Sequence, residues 1–565
     1  MNVPPGPYEL KTELLGALPI VNHFLDRLGV DTALAQRMPP SDASVQLPPA
    51  TALGVALRCT CLGHEPLYAL REWSAPYAPA LLGLTGHTQG LMNDDRVGRA
   101  LTQLFDADRA SLLTELVVGM ISAFHLDCSQ LHNDSTTVTF AGAYEGATGR
   151  PRGGKATPAI VHGHNKDHRP DLKQLLWILT VSADGAVPLA YRTAPGNTSD
   201  DPTHVPTWDG LVQLLGKADF LYVADSKLCS RPALDHIAQG GGRFLTVLPR
   251  TRAEDAEFRT WIVTHVPDWQ EIARLPGRHQ DDPAHVWWAF PWPQPSHDGY
   301  RLCWFRSSQK IALDATRRAS RLSRATADLD ELAARLATPR SRFRSPAAVE
   351  EAVGAILERT STTPLITFTV TSEDEKTYHQ ENSGRPGPNT RYRAVARLRF
   401  HLTHSVNAAA VSAEAAADGC FPLITNDSVL TPEQLLAAYK YQPQLEQRHA
   451  ELKGPMQVAP VFLKDAARIE GLLCLEFLAL LTRALLEREI RQAMEQRSLK
   501  HLSLYPEDRA CRAPTATRIF AIFAGLSRHR LLSDGAPVQA FSPQFSPLQL
   551  QVLDLLGVPA TAYTD

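Results

Sequence analysis

The chain has 565 residues and a mass of 62.1 kDa, room for about three to four folding units. Hydrophobic residues make up 44% and charged residues 21%, ordinary globular usage that excludes collagen-like and wholly disordered chains. With 57 Lys+Arg against 60 Asp+Glu the formal net charge is -3, so any basic surface for nucleic acid must be local. The eight cysteines are scattered without a CxxC pair, which points to reduced thiols in a cytosolic protein rather than a zinc ribbon or disulfide framework. The start, MNVPPGPYELK, lacks the basic and apolar stretches of a signal peptide. The most apolar run, 471–481, contains Glu476 and falls short of the ~18 residues that a membrane span needs. The expectation is a soluble intracellular protein of several domains that does not engage a membrane.

Residues 1–125 read as a mainly helical domain. Leu14, Leu18, Val21, Phe24, Leu25 and Leu28 recur at helical steps, and similar patterns run over 52–69 and 97–124. The texture changes at Gln130. Residues 131–140 are rich in Thr and Val, a strand signature. Residues 175–181 and 187–191 flank a turn at Ala183-Asp184-Gly185 and predict a hairpin. A helix over 205–215, a strand over 220–224, a helix near 231–238 and a strand over 244–248 follow. This order of three leading strands and then alternating helix and strand matches an RNase H-like α/β core. The pattern breaks after Pro249. Six of the nine tryptophans (261, 269, 287, 288, 292 and 304) lie in the next stretch, with Arg-rich helix over 311–360 and strand-like alternation over 365–410. The predicted organisation is a helical domain over 1–125, the first part of the core over 126–249, a large α+β insertion over 250–417, the second part of the core over 418–500, and a helical C-terminal region over 501–565.

Two carboxylates stand out. Asp134 lies in one predicted strand and Asp225 ends another, so the proposed topology brings them to one end of the sheet. Like charges held together ask for a neutralising cation, and carboxylate oxygens suit Mg²⁺ or Mn²⁺. Each Asp alone also reads as an ordinary turn or helix cap. Glu446 and Lys453, seven residues apart, share one helix face. Pro443 calls for a kink or restart just before them, and Arg448, Glu451 and Lys440 leave a solvated helix as the plain alternative. Between Arg150 and Lys173, six Lys/Arg oppose two Asp, a net of +4. This loop, with Lys166 and Arg169, predicts a phosphate-facing or folded-back segment, and His162, His164 and His168 within it fit zinc less well. Between Arg317 and Arg344, eight Arg oppose three acids, which suits a DNA lining or a solvated helix. The tryptophans suit packing first and base stacking second.

The spacing Tyr439-x2-Gln442-x3-Glu446-x6-Lys453 resembles the Tyr-x2-Arg-x3-Glu-x6-Lys signature of bacterial insertion-sequence transposases of the DDE class, with Gln in the Arg place. His132–Thr137, the stretch 162–174, Pro195–Asp200, Asp418-Gly419 and Thr425-Asn426 are similar to further blocks of that group. The resemblance implies a cut-and-paste transposase in which Asp134, Asp225 and Glu446 hold two Mg²⁺ (or Mn²⁺) ions, Asp134 bridging both. Such a pair of ions activates the attacking oxygen and steadies the leaving one. It implies phosphate contacts by Lys453, Tyr439 and the Gln442 position, and recognition of transposon ends by residues 1–125. The implied partners are double-stranded DNA, as terminal inverted repeats and target, and a second copy of the chain in the DNA complex. The implied setting is a bacterial cytoplasm, at the nucleoid. An RNase H-like nuclease without strand transfer and a DNA-binding relative with a lapsed site are the alternatives.

Overall fold

The computed structural model describes residues 8–40, 45–63, 65–277, 282–338, 341–456, 463–533 and 536–564. The reading of the first seven residues therefore lies outside the described ones. The chain splits into two compact units, Met1–Thr246 with Ala437–Asp565, and Val247–Leu436.

In the first unit a strand, β1 (Tyr8–Leu14), precedes helices Leu18–Leu28, Val30–Arg37, Pro49–Leu62, Asp94–Asp106 and Arg109–Ala123. Leu18, Val21, Phe24, Leu25 and Leu28 are buried along one helix face, whereas Leu14 closes β1. The periodic stretch 97–124 is two helices, because Asp108 accepts a hydrogen bond from the Ser111 amide and starts a new one. Residues 1–125 do not form a separate domain. They share one unit with the helix Ala466–Gln496, which is buried on nearly every side. A helix buried all round needs neighbours all round, and the N-terminal helices supply several of them. The C-terminal region also departs from expectation. Ala516–Phe523 and Pro547–Leu556 are helices, but Ser527–Ser533 is a strand that pairs antiparallel with β1 and with Ala536–Phe541. Its sequence, SRHRLLS, shows no apolar alternation. It is held instead by Arg528, which donates to buried Glu13 on β1 at 3.1 Å.

The central sheet of this unit contains β2 (Gln130–Phe140), β3 (Lys173–Ser182), β4 (Pro188–Pro195), β5 (Leu221–Ala224) and β6 (Arg243–Val247), in the order β4-β3-β2-β5-β6. The first three are antiparallel neighbours; β2–β5 and β5–β6 are parallel. Helices His204–Leu215 and Arg231–Gln239 make the crossovers. The strands and helices of this α/β sheet follow the sequence pattern closely. The turn before β4 needs Gly185, at φ +81°, where a Cβ would meet the Arg488 side chain at 2.8 Å.

The basic loop between β2 and β3 folds back onto β3. Gln174 donates to the carbonyls of His164 (3.1 Å) and Gly196 (2.7 Å), and Asn165 donates to Gln174 Oε1 (2.8 Å). Backbones touch here: a Cβ on Gly163 would lie 1.9 Å from the Gly196 carbonyl oxygen. Gly163→Ala is therefore expected to cost about 3 kcal/mol, since neither backbone can yield locally. Urea unfolding measures it, and a loss below about 1 kcal/mol would mean that the loop is free to shift.

The second unit interrupts the first. It carries the antiparallel strands Gln270–Leu275, His285–Pro291, Arg301–Ser307 and Cys420–Thr425. It also carries the helices Ser308–Leu336 and Pro346–Thr360 and a two-stranded ribbon of Ile366–Gln380 with Tyr392–Val406. Cys420–Thr425 pairs antiparallel with Arg301–Ser307, and the division between the two compact units falls after Leu436. Most of the tryptophans are packing residues. Trp304 stacks on Phe258 with centroids 3.6 Å apart, and Trp261, Trp269 and Trp292 pack against the same buried cluster. In the Arg-rich helix, Arg318 is buried against Asp418 (2.6–2.7 Å) and Arg321 bonds Glu414 and the Ser361 carbonyl. These arginines hold the unit together.

Candidate active site

Asp134 and Asp225 follow directly on the paired residues Asn133 and Ala224 of parallel strands β2 and β5. Residues in register share a face, so both carboxylates face the same side at the end of β5. Asp134 is half-buried, 22% exposed. Burial pushes its carboxyl up to about 6, opposed by Lys166 and the Ser135 amide and reinforced by the charges of Asp225 and Asp200. Burial also raises Asp225, with Asp200 adding to it and the Lys227 amide opposing it. Asp225 at the same time caps the turn Ser226–Leu228, accepting from the Lys227 amide at 3.0 Å. Capping and siting coexist here.

The back-folded loop supplies a cation to this acidic end. Lys166 donates to the Ser135 carbonyl and hydroxyl oxygens, both at 2.7 Å, and pairs with Asp200 at 3.2 Å. Ser135 in turn donates to Asp200 at 2.6 Å. In the sequence Asp200 is only the end of the Pro195–Asp200 block; in the fold it is a third carboxylate beside the pair. Arg169 lies at the surface, paired with Asp171 at 2.7 and 2.8 Å.

Helix Gln442–Lys453 packs across the same face of β2. Pro443 does not kink a long helix. The preceding helix Pro432–Lys440 stops, and Pro443 sits in the first turn of the new one, where its missing N–H costs nothing. Gln442 is buried, not a phosphate contact as its place in the signature implies. His132 donates through Nδ1 to Gln442 Oε1 at 2.8 Å, and Gln442 Nε2 donates to the Asn133 carbonyl at 3.2 Å. Gln130 Nε2 faces His132 Nε2 at 2.8 Å, consistent with a neutral ring, and burial pushes that ring down to about 4. Gln442→Ala would strand the His132 donor and the Asn133 acceptor. It is expected to cost about 1–3 kcal/mol in urea unfolding; an unchanged midpoint would show that Gln442 does not hold the helix in place.

The solvated-helix alternative is also corrected. Arg448 is buried and donates to the Gly185 and Ala186 carbonyls and to Glu451 and Glu487, all at 2.8–3.0 Å. Glu451 is bound again by Arg483 at 2.5 Å. This network clamps the helix to the turn before β4. His449, absent from the sequence reading, is buried with Nε2 3.8 Å from Asp134 Oδ2, and neither ring nitrogen has a hydrogen-bond partner among the described residues. Burial, with Lys166 and Lys453, pushes it down to about 3, so it stands neutral beside the carboxylate. Its place three residues after Glu446 is the one signal in the sequence that could find it.

Glu446 projects from the flank of this helix and is exposed. Tyr439 is half-buried. Burial raises its hydroxyl, and the charges of Asp225 and Glu446 add to that, so this ring stands near both acids. Among the described residues no three His, Cys, Asp or Glu side chains form a group able to hold a metal ion; the structure brings Asp134 and Asp225 together and does not bring Glu446 into one group with them. Lys453 pairs with Asp167 at 2.7 and 2.9 Å. No helix among the described residues is long and apolar enough to cross a membrane.

Residues 10–118 match a family described as a domain of unknown function, DUF4277. No curated protein matches the sequence. The chain is similar to the solved cryo-EM structure of a piggyBac transposase synaptic complex with hairpin DNA, at 8% identity and a TM-score of 0.34, over 83% of this chain and 73% of that one.

Proposed function

We propose that the chain is a DNA transposase of the DDE class on an RNase H-like sheet, cleaving the ends of its own insertion sequence and joining them to target DNA. One observation carries this reading. Asp134 and Asp225 occupy neighbouring positions on parallel strands, beneath the helix that carries Glu446. Asp134, Asp200 and Asp225 lie around Lys166, and Asp134 and Asp225, both pushed towards protonation, are hard donors short of positive charge, which fits Mg²⁺ or Mn²⁺.

Asp134 and Asp225 would hold the metal, with Glu446 as the third carboxylate of the set. Bound ions of this kind activate an attacking oxygen and stabilise the leaving one. The chain's own residues do the rest. Gln442 and Arg448 fix the helix, Lys166 neutralises Asp200 and orders Ser135, and Lys453 exchanges Asp167 for a DNA phosphate. Tyr439 lines the entry, and Arg169 offers a surface contact. Gln442, being buried, is no longer among the DNA contacts. A homodimer on paired ends, residues 1–125 as end-recognition elements, and action at the bacterial nucleoid complete the proposal.

The test is cleavage and strand transfer on DNA carrying inverted repeats sought in the sequence on either side of the gene. Joined products from a pre-cleaved end support the transposase, cleavage without joining leaves a nuclease, and neither reaction in Mg²⁺ or Mn²⁺ overturns both.

A further inference from the structure

The ribbon of the second unit has no core of its own along most of its length. Strands Ile366–Gln380 and Tyr392–Val406 pair residue for residue from Ile366–Val406 to Gln380–Tyr392, giving an arm of about 50 Å at ~3.3 Å per residue. Only its base is buried: Ile366, Phe400 and Leu402 join the cluster built on Ala325, Leu329 and Leu332. An isolated two-stranded ribbon solvated on both faces is marginal in water, so an arm of this length asks for a role outside the unit.

Its cations divide by position. Near the base they are engaged. Arg399 donates to the Ala337 carbonyl at 2.9 Å and pairs with Glu375 at 3.4 Å; Arg397 donates to the Ser341 carbonyl; His401 and His404 pair with Glu373 and Asp330. Towards the tip, between residues 376 and 393, Lys376, Arg385, Arg391 and Arg393 face a single acid, Glu381, and all four are exposed. None of the four side chains makes a hydrogen bond or ion pair with another described residue. The alternation of the strands puts Lys376, Tyr378 and Tyr392 on one face and His379, Arg391 and Arg393 on the other.

We infer that this arm is a DNA-binding ribbon whose distal half enters a duplex groove. The major groove admits a two-stranded ribbon, with phosphates on both walls, and an arm that is polar and basic on both faces matches it. A protein partner would instead ask for one apolar face. The inference rests on the proposed DNA-processing role and gives that role a second contact surface.

The experiment uses the full chain in EDTA, a fluorescent duplex without terminal repeats, and anisotropy titrations over a range of salt. The variant carries Lys376→Ala, Arg385→Ala, Arg391→Ala and Arg393→Ala together; a second carries the three Arg→Lys changes alone. The expected result is a salt slope shallower by about 3–4 in the alanine variant, about 0.9 for each phosphate no longer neutralised, and near normal in the lysine variant. Thermal unfolding should be unchanged in both, since no intramolecular bond is removed. Normal binding by the parent with an unchanged slope in the alanine variant overturns the ribbon assignment alone. No binding by the parent overturns the DNA-processing reading beneath it. Ribbon-dependent binding of polyglutamate in preference to duplex also overturns the assignment, in favour of an acidic protein partner.

Discussion

Asp134→Asn, Asp225→Asn and Glu446→Gln are each expected to lower cleavage of a transposon end by about a thousandfold or more, ~4 kcal/mol of barrier. DNA affinity should stay within about threefold, because affinity comes from cations on phosphates rather than from these acids. The amides keep the volume of the acids and remove only the charge that a divalent ion would need. A labelled end incubated in Mg²⁺ reads cleavage, and the same end in EDTA reads binding. Near-normal cleavage by any one variant removes that residue from the site. Glu446 is the most informative of the three, since it is exposed on its helix while the Asp pair sits at the ends of paired strands.

Asp134→Asn should do something else at the same time: make the protein more stable. Burial raises the native carboxyl from 3.8 to about 6, so the folded state holds its proton more tightly than the unfolded state. Below about pH 4 both states are protonated, and the acid and its amide are equivalent. As pH rises from 4 to 6 the unfolded chain gains by ionising while the folded chain does not, and stability falls throughout that window. Two units correspond to at most about 3 kcal/mol, and partial exposure brings the expected gain for the amide to about 1–3 kcal/mol at pH 7.5. Urea unfolding in EDTA at pH 4 and pH 7.5 measures it. Equal or lower stability of the variant at pH 7.5 would show that Asp134 is not strained by its surroundings. Added Mg²⁺ should stabilise the parent and leave the variant unmoved, since a ligand stabilises only the state that binds it.

The core sheet is legible in the sequence because each of its strands carries its own pattern: Thr and Val in β2, unbroken apolar runs in β3 and β5, and a glycine turn between β3 and β4. Asp134 and Asp225 are legible because strand order alone sets them side by side. The strand at Ser527–Ser533 is not, since a pairing to β1 across the whole chain is held by Arg528 and Glu13 rather than by alternation. Gln442 misleads for a related reason. A polar residue in a signature reads as a ligand contact, and only the fold shows that His132 and the Asn133 carbonyl already occupy both ends of its amide. His449 and Asp200 are hard to read because a place three residues after Glu446, or at the end of the Pro195–Asp200 block, gives neither a role by itself. Their meaning comes from β2, which passes beneath one and beside the other. The division of the compact units falls after Leu436 rather than at 418 because an apolar strand does not say where a compact unit ends.

The interruption at Tyr441, where one helix stops and the next begins, makes the interval from Tyr439 to Glu446 a matter of phase as well as distance. Glu446 and Lys453 ride on one rigid rod, so their mutual bearing survives any change upstream. Tyr439 rides on another. A single residue inserted at the joint would rotate the second rod by about 100° relative to the first, or else tear Gln442 from its seat on His132. Either way the ring and the acid would lose each other while the acid and its lysine stayed aligned. The short joint thus acts as a clutch between two helices, and the length of chain across it is as constrained as the identity of any residue it connects.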